Sequence, residues 1–307
     1  MADFSDKGEA FEELICTSSS DHTPAVKFLA AVNIILSILA SIGNILVLIA
    51  LRKESSLHPS SKILLRCLAV TDLCVGAIEQ PMVSVLFIAV VNDAKELCRP
   101  ILGLSFLSGV VLFGVSLLTL AAVSVDRLLA LLLGLRFRQL VTSSRVLAVV
   151  ICFWFVNIVI AVLCLWNYII FLWYGCVLVL SCIITSVLSY AKIFTTLRRT
   201  QALVHGVSLQ GHQTQAETPL NIARYRKTVF GALWIQVTLL CCYLPYFVVT
   251  ALASFIGLTP SVVLGWRFTT SIVFLNSSLN PFLYCWKIRE VRQAVKETIG
   301  RCLCSSD

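Results

Sequence analysis

A chain of 307 residues that is 58% hydrophobic and only 13% charged, with a mean hydropathy of +0.92, is too apolar for a water-soluble domain. Residues 100–125, 146–191, 228–266 and 268–286 contain no Asp, Glu, Lys or Arg. Apolar runs of about 20 residues or more are membrane-crossing helices, since a barrel strand needs only about 10 alternating residues. Disorder, collagen and soluble α/β folds are thereby excluded, and an all-α membrane bundle is expected.

In chain order, residues 1–25 form a polar tail with Asp3, Asp6, Glu9, Glu12, Glu13 and Asp21 and no apolar core, unlike a cleaved signal peptide. Seven apolar segments follow within 26–286, at roughly 26–51, 61–90, 99–132, 142–166, 168–197, 223–256 and 261–286. Placing the N-terminus outside puts nineteen of the 24 Lys and Arg on the cytoplasmic side, the arrangement expected from the positive-inside rule. The expected location is the cell membrane, multi-pass, with the N-terminus extracellular and the C-terminus cytoplasmic. The charge-free stretch 146–191 holds two crossings, so the loop between them, near residues 166–168, is almost absent. Residues 201–222 form a polar linker. Residues 287–307 begin with Ile288, Val291, Val295 and Ile299 at helical spacing against Arg289, Arg292 and Lys296, the pattern of an interfacial amphipathic helix. Cys302 and Cys304 follow, either a palmitoylated pair or two free thiols. Cys16 and Cys98 both fall on the oxidising outer side and could bond.

Polar groups inside the spans cost roughly 3 kcal/mol or more when charged, and default to functional hypotheses. Asp72 lies mid-membrane, with Asn44, Ser116, Asn276, Ser277 and Asn280 at comparable depth. Asn276, Asn280 and Tyr284 repeat every four residues and make one polar stripe. The group either forms a hard-oxygen site for a monovalent cation such as Na+ or a structural hydrogen-bond network. Glu79, seven residues beyond Asp72, shares its inward face and is either a ligand contact or an internally bonded acid. Pro81, Pro245 and Pro281 each free a carbonyl four residues back, marking hinges or static kinks. Asp126 and Arg127 meet at the inner boundary of the third segment. Arg267 is expected to be solvated at the outer rim. No HExxH or GxSxG motif or catalytic aspartate pair is present in the spans, so an enzyme is not expected. A transporter using Asp72 and Glu79 as proton or ion relays is the rival reading, although no internal repeat is visible.

These residues together resemble the rhodopsin-like, or class A, G-protein-coupled receptors. The resemblance rests on GNILV at 43–47, LAVTD at 68–72, Asp126-Arg127-Leu128, Trp154, Tyr190, CYLPY at 242–246 and NPFLY at 280–284, ordered across seven segments. It implies an agonist in the outer half of the bundle and an outward swing of the sixth helix about Pro245. It further implies repacking of the seventh helix about Pro281, release of Arg127 from Asp126, Arg127, Tyr190 and Tyr284 meeting the Gα C-terminal helix of a heterotrimeric G protein, and Leu135 filling a hydrophobic Gα pocket. Sodium at Asp72, Ser116, Asn276, Ser277 and Asn280 would favour the inactive state. The ligand, a small molecule, lipid or peptide, would contact Glu79, Phe106, Gly109, Val110, Tyr243, Tyr246, Phe247, Thr250, Thr270 and Phe274. Arrestin and membrane lipid are further expected partners, nucleic acid is not, and the resemblance implies no resident cofactor.

Departures from the family pattern are informative. Leu102 replaces the cysteine atop the third helix, and Cys182 stands at a usual proline position. These losses, with the missing second outer loop, resemble the melanocortin, cannabinoid, lysophospholipid and adenosine branch; GLRF at 134–137 is most similar to its melanocortin arm. Met82, Leu102 and Phe106 nevertheless stand where melanocortin receptors carry calcium-binding acids, and Gly109 replaces the aspartate of amine receptors.

Overall fold

The computed structural model of the chain describes residues 15–17, 20–53, 58–166, 168–208, 237–238, 240–253, 255–257, 259–287 and short pieces within 292–300. Among these, every regular element is helical. The main helices are α1 (Thr23–Lys53), α2 (Pro59–Val91), α3 (Lys95–Leu133), α4 (Ser143–Trp166), α5 (Tyr168–Ser208), α6 (Leu240–Ala253) and α7 (Pro260–Lys287). A single residue separates α4 from α5. Helices α1 to α5 each contain a stretch long and apolar enough to cross a membrane. Helix α7 spans 28 residues, but Asn276, Ser277, Ser278 and Asn280, all buried, make it more polar. The protein is a multi-pass membrane protein, and its lipid-facing surface is carried by side chains such as Ile35 (59% exposed), Ile151 (59%) and Phe155 (69%), which water would not tolerate in such number.

Helix α3 packs against α2, α4 and α5, while α1 packs against α2 and α7. Small residues set the closest approaches, as expected where lipid supplies no hydrophobic drive between helices. At Gly43 an added Cβ would lie 2.8 Å from the Pro281 ring, so α1 and α7 touch there because residue 43 has no side chain. Pro281 cannot donate to the carbonyl of Ser277, and the Asn44 amide does so instead at 3.1 Å. Glycine and asparagine, adjacent on α1, therefore accommodate the ring and satisfy the carbonyl that it orphans.

In α2 the sequence around Pro81 produces a π-turn over Val75–Glu79. Ser37 of α1 donates to the Gly76 carbonyl at 2.6 Å, and the bare face of Gly76 lies against Ala40 and Ser41. The turn absorbs an extra residue, so Glu79 is not related to Asp72 by an unbroken α-helix. Between α3 and α4, an added Cβ at Gly114 would fall 1.7 Å from Asn157 Oδ1, and Tyr174 of α5 donates to that same oxygen.

Residues 15–17 are pinned at one end of the bundle. Cys16 and Cys98 form a disulfide with a Cα–Cα distance of 5.8 Å. Ile15 and Cys16 are buried among Leu86, Ala89, Val90, Leu102 and Val263. Arg267 is not solvated at the rim as the sequence suggested. It is 3% exposed, and its Nη2 donates to the carbonyls of Ile15 at 2.7 Å and Thr17 at 3.2 Å. The tail's own backbone replaces water around the guanidinium, a substitution that side-chain pattern does not reveal. At the opposite end, Val295 is buried in a cluster with Val47, Ala50, Leu51 and Leu65.

Candidate functional site

Three levels of polar and aromatic structure stack along the bundle. At the disulfide-bearing end is a cavity of about 400 Å³ lined by α2, α3, α5, α6 and α7, a size suited to a small ligand. All ten side chains or glycines expected to meet a ligand, from Glu79 on α2 through Phe106, Gly109 and Val110 on α3 to Tyr243, Tyr246, Phe247, Thr250, Thr270 and Phe274 on α6 and α7, line this one space. Its floor is aromatic. The Phe113 ring meets Tyr243 edge-on at 6.0 Å between centroids and Phe274 at 5.7 Å. Tyr246 stands 6.2 Å from Phe247 and 6.4 Å from Trp266, and Phe106 packs on Phe171 of α5 at 4.9 Å.

Glu79 is the acid on this wall, 2% exposed. Ser105 and Ser108 of α3, three residues apart and so on one helix face, both donate to its carboxylate. Sequence reading passed over both serines. It also passed over Asn157, an amide within a charge-free span whose burial cost was the available signal. Asn33, fully buried and donating to Ser271 at 2.8 Å, was likewise missed.

The middle level is built around Asp72, which is fully buried. Asn280 donates to its Oδ2 at 2.7 Å, tying α2 to α7. The Thr71 and Ser116 hydroxyls lie 3.4 Å apart, bringing α3 into the same layer. Asp72 Oδ1, Asn276 Oδ1 and Asn280 Oδ1 are buried oxygens with no hydrogen-bond partner. Unpartnered oxygens of low total charge suit a hard monovalent cation.

At the far end, Ser61 of α2 donates to Asp126 Oδ2 at 2.7 Å, and Arg127 Nη2 stands 3.9 Å from the same oxygen. Tyr190 of α5 is 8% exposed, and Ser124 and Ser186 meet nearby at 3.4 Å. Pro245 is half-buried within α6, and Pro281 is buried in α7. Leu135 sits on the short turn Gly134–Arg136 and Tyr284 on α7, but their side chains fall outside the described residues, as do Cys302 and Cys304 entirely.

Comparison with known proteins agrees with this architecture. Residues 43–168 match the family described as 7 transmembrane receptor (rhodopsin family). The chain is 25% identical to sheep (Ovis aries) adenosine receptor A3, over 89% of each chain. It is 24% identical to chicken (Gallus gallus) adenosine receptor A2b, over 89% of this chain and 88% of that one. It is also 24% identical to human (Homo sapiens) adenosine receptor A2a, over 87% of this chain and 71% of that one. These relatives are receptors rather than enzymes, and they fall in the adenosine arm of the branch that the sequence departures resemble. The ordered helices, the buried Asp72–Asn280 tie, the Asp126–Arg127 pair and these matches make the chain similar to the class A, rhodopsin-like G-protein-coupled receptors.

Proposed function

We propose that the protein binds an extracellular or membrane-derived ligand in the cavity and activates a heterotrimeric G protein by outward movement of α6. The observation that carries this reading is the position of Tyr243. It lines the cavity, packs on Phe113 of α3 and lies two residues before Pro245, where the backbone of α6 lacks a hydrogen bond. A ligand at the floor therefore acts directly beside the hinge. Movement of α6 would open the far end of the bundle, where Arg127, Tyr190, Leu135 and Tyr284 would receive the Gα C-terminal helix and Arg127 would leave Asp126. The ligand shifts this equilibrium only by its difference in affinity for the two states.

Asp72, Ser116, Asn276, Ser277 and Asn280 would hold a sodium ion, whose charge would complement the buried carboxylate. The protein's own part is to keep α2, α3 and α7 together through the Asp72–Asn280 and Thr71–Ser116 contacts. The N-terminus is read as extracellular, Cys302 and Cys304 as lipid anchors, and arrestin as a second cytoplasmic partner.

The test is nucleotide exchange on Gα by the full chain in reconstituted membranes. Arg127→Ala is expected to reduce exchange to the rate of empty membranes while leaving surface expression intact. Exchange that persists in this variant contradicts the reading.

A further inference from the structure

The cavity wall is apolar and aromatic but contains one carboxyl group, Glu79, and one guanidinium, Arg267. Arg267 is engaged through Nη2 by the carbonyls of Ile15 and Thr17. Glu79 is held only by neutral hydroxyls, Ser105 and Ser108, and among the described residues no Lys, Arg or His pairs with it. A carboxylate offers about four lone-pair sites, so two serines leave acceptor capacity on the cavity side. A buried charge without an opposite charge is costly, and a ligand that supplies one recovers that cost.

The space in front of the carboxylate is specific. A Cβ added at Gly109 would lie 3.6 Å from Glu79 Oε1 and 3.6 Å from Cε2 of the Phe113 ring. Because residue 109 is glycine, this position opens into the cavity between an acid and an aromatic ring. A group seated just above Gly109 meets both, and the group stabilised by both a carboxylate and a ring is a cation. We propose that Glu79, with Phe113 and the opening at Gly109, is the anchor for a protonated amine carried by a compact apolar ligand. The proposal rests on reading the cavity as the ligand site and adds the chemical class of its occupant. The apolar walls contributed by Phe106, Tyr246 and Phe247 would take the ligand's body.

The test measures saturable thermal stabilisation of the purified full chain by naphthylethylamine, its neutral analogue naphthylethanol, the anionic naphthylacetate, and adenosine as a neutral comparator named by the relatives. The amine is expected to bind tightest. Glu79→Gln is expected to weaken the amine by roughly tenfold or more while changing the alcohol by less than about twofold. Gly109→Val is expected to block the amine with the acid still in place, and it covers the case in which Glu79→Gln fails to fold. Equal binding of amine and alcohol, preference for naphthylacetate or adenosine, amine binding indifferent to both substitutions, or no saturable amine binding would each overturn the proposal. Arg127-dependent exchange on Gα without any probe separates such a result from failure of the receptor reading.

Discussion

Around the cavity, the helices are held apart by rings and aliphatic side chains. Around Asp72 the helices instead touch through Gly43, and around Asp72 and Asp126 they are joined by hydrogen bonds that run between elements, as in Asn280 to Asp72, Asn44 to the Ser277 carbonyl and Ser61 to Asp126. The first arrangement leaves room, and the second leaves almost none. The contrast teaches that one bundle can enclose open apolar space at one end and be tightly specified by polar ties at the other, because close-packed polar layers change in discrete steps rather than by gradual deformation.

The comparison can be broken most readily where its two parts meet. Gly114→Ala would force a methyl into Asn157, already bonded to Tyr174, and is expected to destabilise by about 3 kcal/mol, the upper part of the usual overpacking range. Thermal unfolding in detergent measures it, and an unshifted midpoint would contradict the packing. Gly43→Ala is expected to cost about 2 kcal/mol through contact with the Pro281 ring. Pairing it with Pro281→Ala should recover part of the loss, a coupling read by a double-mutant cycle. Asn44→Ala leaves the Ser277 carbonyl unbonded, and an expected loss of about 1–2 kcal/mol would appear as a lower midpoint. At the smallest end, Gly103 lies in the disulfide-bearing half with no atom within 4 Å of an added Cβ, so Gly103→Ala should be neutral or stabilise α3 by up to about 1 kcal/mol. A loss there as large as at Gly43 would erase the distinction between the halves.

Much of this was legible because membrane burial makes polar residues conspicuous. Asp72, Asn44 and Asn280 stand out in apolar runs, and a repeat of four residues puts Asn276 and Asn280 on one face. The cavity residues were readable for a similar reason, since motif order fixed helix order and helical period fixed the inward faces. What escaped reading depended on backbone rather than side-chain pattern. The π-turn at Val75–Glu79 changes the phase of α2, so counting turns from Asp72 does not reveal that Glu79 meets Ser105 and Ser108. Arg267 looked like a rim residue because its acceptors are carbonyls of Ile15 and Thr17, which carry no residue signature. Asn157 offered a signal in its burial cost, but Gly114 did not, and their significance lies in the contact between α3 and α4 that only the packing shows.

The clamped amino-terminal segment has a practical consequence. With α4 and α5 joined through one residue, the rim of the cavity is braced by Ile15 and Cys16, which pack on the cavity-lining Leu86 and Leu102 and are stapled by Cys98 and Arg267. Thiol-containing purification buffers therefore remove half of that fastening and should leave a protein whose cavity rim is held less firmly than in the oxidised form. An affinity tag fused ahead of residue 15 hangs directly from the rim of the cavity.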